Sequence, residues 1–268
     1  MRFLYFFDEF IKPHMMAGKR YCNPTNTAVI DEGLSCIREN DVNIYFYTKN
    51  NTTVAFDSGH LNYKGLEGEF AKIKIAPQNI KHVFLTHADV DHAGGIDVKG
   101  KNIFPNARIY IGKNEEKYLT GKMHRIIKLG IKIHNCVQLK EEYNLIEDGE
   151  VLYFDQIKIQ AIYTPGHTLG HMCYLVDDKI LISGDCLAIN RYGGYSFFDF
   201  FTQYPDMNKE SLCRLKDYVA DKNLLWVCTG HSGAGRNTVN LFSHIDESAT
   251  FSRKKPFDEN GPFDYTKE

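Results

Sequence analysis

The chain predicts an α+β sandwich, with two β-sheets packed face to face and helices on the outside. Three observations carry that prediction. Strand-like segments fall into two sets, each followed by segments of helical spacing. Metal-competent residues sit where several of those strands end, most densely in 86–95, which reads T-H-A-D-V-D-H-A-G-G. With 268 residues and 43% hydrophobic side chains, there is ample apolar material for one such core. Periodicity alone does not separate this arrangement from other α+β sandwiches. The chain reads as one domain over 1–268, with 1–26 as an N-terminal extension and 250–268 as a charged tail.

In chain order, residues 2–7 read as a strand. Residues 44–47 and 53–56 read as a hairpin around Lys49-Asn50-Asn51, and 57–60 leaves the sheet as a loop. Residues 65–75 suit a short helix stopped by Pro77. Residues 81–86 form the strand that delivers the metal-like stretch, and 107–111 form another. A charged helix begins at Asn114, and 123–129 reads as helix ended by Gly130. In the second half, 151–154 and 157–163 are strands around Asp155, and 171–176 and 179–183 a hairpin around Asp177-Asp178. An aromatic run fills 192–204. Residues 208–219 have helical spacing, with Leu212, Leu215 and Val219 on one face. A strand at 224–229 and a helix at 236–245 close the domain, and the tail from Ser252 needs a docking site to be ordered.

The net charge of −2 gives no global basic field, which argues against non-specific nucleic-acid binding. The seven cysteines are scattered and form no C-x-x-C pair, as in a reducing compartment. The first residues lack the apolar core of a secretory signal, and no window approaches a membrane span. The expectation is a soluble cytoplasmic protein with no membrane partner.

Each downstream candidate follows a strand. Thr164-Pro165-Gly166-His167 follows 157–163, Ser183-Gly184-Asp185 follows 179–182, and Thr229-Gly230-His231 follows 225–228. Strand ends on one rim converge, and a glycine beside each candidate lets backbones approach. The set is His87, Asp89, Asp91, His92, His167, Asp185 and His231. A single catalytic zinc takes three protein ligands and a water, so this set is too large for one ion and suits two.

These motifs resemble those of the metallo-β-lactamase superfamily. Its H-x-H-x-D-H loop stands here as H-A-D-V-D-H, followed in the same order by T-P-G-H-T-L-G-H, S-G-D and T-G-H. The resemblance runs from about Asp57 to His231 and implies a four-layer αββα sandwich. By position, His87, Asp89 and His167 would hold a first metal, and Asp91, His92 and His231 a second, with Asp185 bridging. The implied activity is metal-dependent hydrolysis. A bridging hydroxide would attack an ester, thioester or lactone-like small molecule, with Asp91 as the catalytic residue that orients it or moves its proton.

Position 89 departs from the pattern, being Asp where most zinc hydrolases of the family have His. The flavodiiron branch carries Glu there and binds two irons. Two divalent ions bring four positive charges, of which Asp91, Asp185 and a hydroxide offset three. Asp89 would make the shell neutral and, as a hard oxygen donor, would shift preference from zinc toward iron or manganese. The alternative function is therefore a di-iron protein that binds or reduces oxygen or nitric oxide, served by an external electron donor.

Other residues carry plainer expectations. His171 is structural, His60 is a solvated loop residue, and 113–117 is a solvated helix face. The aromatic run covers the core, walls the pocket or makes a homodimer contact. Loops 12–26, 58–66 and 190–205 would set specificity.

Overall fold

Turn residues frame the computed structural model, which describes residues 23–60, 65–97, 102–139, 142–236, 238–249 and 263–264, with Phe6 and Ile11. Strand β1 (Ala28–Asp31) meets β2 (Leu34–Glu39) through Gly33, and β3 (Val42–Lys49) meets β4 (Thr52–Phe56) through Asn50. Both turn residues hold positive φ, which glycine and asparagine tolerate. Strands β5 (His82–Leu85) and β6 (Arg108–Gly112) add in parallel beside β4. Strands β7 (Arg125–Ile127) and β8 (Ile131–Ile133) make a separate hairpin, and β9 (Tyr143–Ile146) returns to the edge beside β6.

The second sheet begins with β10 (Val151–Phe154), β11 (Ile157–Tyr163), β12 (Met172–Val176) and β13 (Ile180–Gly184). Strands β14 (Leu187–Asn190) and β15 (Gly193–Ser196) leave it as a hairpin. Strands β16 (Trp226–Thr229) and β17 (Gly233–Arg236) rejoin it, β18 (His244–Ser248) pairs with β15, and β19 (Phe263–Asp264) pairs with β17.

Side-chain alternation sorts the core into layers. Tyr45, Phe56, Phe84, Tyr174 and Ile182 point between the two sheets. Ile44, Phe46, Val83 and Leu85, one residue out of phase, face helix α1 (Leu66–Ile73) through its Leu66, Phe70 and Ile73. On the far side Leu175, Leu181 and Val227 face the later helix from 205, through Leu212, Leu215 and Val219. The result is the α+β sandwich, layered helix, sheet, sheet, helix. Each large apolar side chain buried in these layers contributes roughly 1.5–3 kcal/mol.

Two short helices complete the first half, α2 (Val90–Ala93) and α3 (Glu116–Leu119); the long helix α4 (Pro205–Val219) and the single turn α5 (Thr238–Leu241) belong to the second. Two segments differ from the sequence-based expectation. Residues 123–129 form no α-helix: β-branched Ile126, Ile127 and Ile131 belong to paired strands joined by a single 3-10 turn, Lys128–Gly130, whose Gly130 has φ +71°. Residues 236–245 hold a strand end, one helical turn and the start of β18, because Leu241, Phe242 and Ile245 reach the outer core from separate elements. The expected strand at 2–7 lies outside the described residues, apart from Phe6.

The strand directions position the site. β13 and β16 are parallel, and β11 shares their direction through two antiparallel steps. Their C-terminal ends therefore exit on one rim. Bonds across the sandwich join that rim to the first sheet: Met172 N–H donates to Thr86 O at 2.9 Å, Tyr174 Oη to Leu85 O at 2.7 Å and Tyr45 Oη to Thr229 O at 2.9 Å.

Candidate metal centre

Four strand ends deliver the candidate residues. β5 runs out into His87, Asp89, Asp91 and His92, with the last two on α2. β11 supplies His167, β13 supplies Asp185 and β16 supplies His231. All seven are buried. The structure brings them together as two groups, each with ligand atoms mutually within 4.8 Å: His87, His167 and Asp185, and Asp91, His92 and His231. Asp89 adjoins the first group, its Oδ2 lying 3.7 Å from His87 Nε2 and 3.5 Å from His167 Nε2. Asp185 touches both groups, with Oδ2 3.7 Å from His167 Nε2 and 3.2 Å from His231 Nε2. Glycine makes that proximity possible: a Cβ on Gly230 would stand 2.2 Å from Asp185 Oδ1 and 2.6 Å from His92 Cε1.

Neighbouring acceptors fix which imidazole nitrogen faces the centre. His231 Nδ1 lies 2.6 Å from the Asp41 carbonyl, which can only accept, so Nε2 is left for the centre. His92 Nδ1 donates to Asp57 Oδ2 at 2.8 Å. The Thr86 hydroxyl donates to Asp57 and accepts from His87 Nδ1, both at 3.0 Å. His87 Nε2, His92 Nε2 and Asp185 Oδ1 are then buried with no hydrogen bond, although His92 Nε2 and Asp185 Oδ1 are 3.3 Å apart. Such orphaned donor atoms, beside three buried carboxylates, fit a cation. His171 differs, because Nε2 accepts from Asp185 N–H at 3.2 Å and Nδ1 pairs with Thr164 Oγ1 at 2.9 Å. It supports the rim, as the sequence suggests.

The electrostatics follow from burial and neighbours. Burial opposes charge on His92, but Asp185, Asp57 and Asp91 outweigh it and hold its pKa well above the usual imidazole value. Burial, then the adjoining His92, pushes His87 well below that value. Burial raises the Asp185 carboxyl, yet His231 and His92 bring it well below the usual range. The centre is a negative pocket edged by imidazoles, the field a metal ion would neutralise.

Several participants are not evident from the sequence. Arg125, 1% exposed, reaches in from β7 and places Nε 3.1 Å from both oxygens of Asp89. Its Nη2 lies 3.1 Å from His167 Nε2 and 2.6 Å from Phe201 O, and its Nη1 donates to the His167 carbonyl. Burial works against the Arg125 charge, and Asp89 more than restores it. Phe197 packs edge-on against His167 at 5.1 Å between ring centroids and lies 5.7 Å from His231, so part of the aromatic run walls the centre. Phe198 is buried beside it, whereas Tyr192, Phe200 and Tyr204 are exposed. His60 is not solvated: it is buried, with Nε2 3.3 Å from Asp41 Oδ1 and its N–H donating to Glu39 at 2.7 Å. Glu115, in the charged stretch 113–117, is also buried and accepts from Ala88 N–H at 2.9 Å and Thr168 Oγ1 at 2.8 Å.

Known proteins resemble this chain in sequence and fold. A family model described as the metallo-β-lactamase superfamily matches residues 37–231. The chain is 26% identical over 192 residues to the probable polyketide biosynthesis zinc-dependent hydrolase PksB of Bacillus subtilis, covering 69% of this chain and 76% of that protein. It is 27% identical over 193 residues to a hydroxyacylglutathione hydrolase of Buchnera aphidicola, covering 69% and 65%. A solved β-lactamase from Chitinophaga pinensis matches with TM-score 0.57 at 18% identity, over 78% of each chain.

Proposed function

This chain belongs to the metallo-β-lactamase superfamily and is a hydrolase of that fold, and on that premise we propose that it cleaves an ester, thioester or lactone-like small molecule at a two-metal centre. The observation that carries the reading is the set of orphaned atoms His87 Nε2, His92 Nε2 and Asp185 Oδ1 at a buried convergence of imidazoles and carboxylates. A buried polar atom without a partner costs about 1–3 kcal/mol, more when charged, and a bound cation removes that cost. His87, Asp89 and His167 would hold one ion, Asp91, His92 and His231 the other, with Asp185 between them. When bound, the ions supply an acidified water and a Lewis acid for the carbonyl oxygen.

The protein's own groups do the rest. Asp91 Oδ2, 3.3 Å from His231 Nε2, is the carboxylate that orients the attacking water and carries its proton toward the leaving group. Phe197 covers His167 and His231 and keeps bulk water from that side. The metal we propose is zinc. Asp89 alone would have neutralised the shell, but Arg125 cancels its charge, so the pair contributes no more net charge than the histidine usual at that position. Arg125 offsets the charge argument for a di-iron centre and leaves the hard oxygen donor at position 89, which the metal analysis below tests. The names of two relatives, a probable polyketide biosynthesis zinc-dependent hydrolase and a hydroxyacylglutathione hydrolase, favour zinc and an acyl substrate.

In the test, the zinc-loaded protein is assayed against generic ester, thioester and lactone substrates beside Asp91→Asn. Turnover should fall by about 10²–10⁴-fold in the variant with the circular dichroism spectrum unchanged. An unchanged rate removes Asp91 from the mechanism, and stoichiometric iron in protein purified anaerobically without added metal favours the di-iron alternative.

A further inference from the structure

We propose that Arg125 makes the two metal positions unequal, so that the second fills first and the first fills only when the guanidinium releases His167. The inference rests on the two-metal reading above and concerns how that centre loads.

His167 turns Nε2 toward the first position, 3.5 Å from Asp89 Oδ2 and 3.7 Å from Asp185 Oδ2, while its Nδ1 is buried with no hydrogen bond. Arg125 Nη2 lies 3.1 Å from that Nε2. A guanidinium has no acceptor, so the imidazole nitrogen must accept, and it has a single in-plane lone pair. That lone pair serves the arginine or the metal, not both. Asp89 is not limited in this way. A carboxylate has about four lone-pair sites, so it can keep its contact with Arg125 Nε and still face a metal. Arg125 also carries a fixed positive charge that repels a dication at the first position, and burial weakens the screening of that repulsion. The guanidinium is not loosely held. Its Nη2 also donates to the Phe201 carbonyl at 2.6 Å and its Nη1 to the His167 carbonyl.

The second position shows the opposite preparation. His92 Nε2 is buried with no hydrogen bond. His231 Nε2 faces two carboxylates, Asp91 at 3.3 Å and Asp185 at 3.2 Å. Asp57 and the Asp41 carbonyl already hold both rings in the ligating orientation. Among the described residues no guanidinium has to withdraw there before a metal enters; the metal displaces only a proton from His92.

Arg125 is thus a positioning residue whose removal should tighten metal binding at one position. A merely structural role predicts the reverse, since losing a buried strut loosens everything it supports. The experiment titrates zinc into metal-free full-length protein by calorimetry and equilibrium dialysis, for wild type, Arg125→Met and Arg125→Lys. Wild type should show one tight and one weaker event. In Arg125→Met the weaker event should tighten by about 10–100-fold, the range in which groups contacting a metal's ligands act, while the tight event stays in place. Arg125→Lys, which keeps the charge but loses the fork, should tighten it less, and it serves alone if the methionine variant does not fold. Two equal events in wild type, or a weaker event that neither variant tightens, overturns the inference and leaves a two-metal centre standing. A chain that takes fewer than two zinc ions in every form overturns the two-metal reading, and the inference with it.

Discussion

Asp57 shows how much of the site depends on residues that bind nothing themselves. It follows β4 directly with φ at +62°, a conformation that aspartate tolerates better than most side chains. From there its carboxylate accepts from Thr86 N–H at 2.8 Å and from His92 Nδ1 at 2.8 Å, and through Thr86 it sets His87 as well. Asp57→Ala should therefore weaken zinc binding about 10–100-fold, while Asp57→Asn, which keeps an acceptor oxygen, should lose much less. Zinc affinity measured for both variants checks this, and equal losses would mean that the residue acts only through the fold. At this scale the sequence was legible for the ligand candidates, because H-A-D-V-D-H, P-G-H, S-G-D and T-G-H each carry their own local signature. It was not legible for their supporters. Arg125 sits 36 residues from Asp89 with no motif around it, and only the folded β7 hairpin brings the two together. Hence the extra carboxylate at position 89 reads as a pointer to iron in the sequence and as half of a neutral pair in the structure.

Hairpins with Asn or Asp at the turn were readable because the turn residue and the alternating flanks agree, as at Asn50, Asp155 and Asp177-Asp178, all of positive φ. Segments 123–129 and 236–245 misled because short apolar runs fit either period and their burial is decided by partners elsewhere. Glu115 belongs to the same lesson: a charged helical stretch implied solvent, yet this one carboxyl turns inward and ties the 86–95 loop to the 164–171 loop. Burial pushes its pKa up to about 7 from 4.5, with the Ala88 N–H and Thr168 hydroxyl opposing. The folded state therefore holds this proton more tightly than the unfolded chain. Its contribution to stability is fully present below about pH 4.5 and is lost as pH rises through 7. At about 1.4 kcal/mol per unit, the loss is on the order of 3 kcal/mol. Glu115→Gln stays neutral throughout, so urea unfolding should show it gaining on wild type by about that amount between pH 5 and pH 8. A difference that does not change with pH would show that the carboxyl is ionised in the fold at both.

Across the whole molecule, the two sheets are held together by apolar packing in the middle and by polar bonds at one rim. The middle, with Phe56, Phe84, Tyr174 and Ile182, needs nothing further. The rim gathers Asp89, Asp91 and Asp185, each at most 5% exposed, from both sheets. Asp89 has Arg125, but Asp91 and Asp185 answer mainly to imidazoles whose lone pairs metal would claim. Without metal, the rim is where like charges from the two sheets meet in a poorly screened setting. Metal should therefore act as a clamp between the sheets as well as a reagent, and chelation should cost stability. A ligand present at about a thousand times its dissociation constant stabilises a fold by roughly 4 kcal/mol, and for a chain of this size each kcal/mol moves the melting temperature by about 2–4 °C. Removal of zinc by a chelator should lower the melting temperature by about 10 °C, and added zinc should restore it. Hydrogen exchange should locate the loss at the rim, in the amides of 86–95, 164–171 and 229–233, before it reaches the strands that line the middle. A melting temperature that chelation leaves unchanged, with metal analysis confirming removal, would mean that the rim is held by Arg125 and the cross-sheet hydrogen bonds alone.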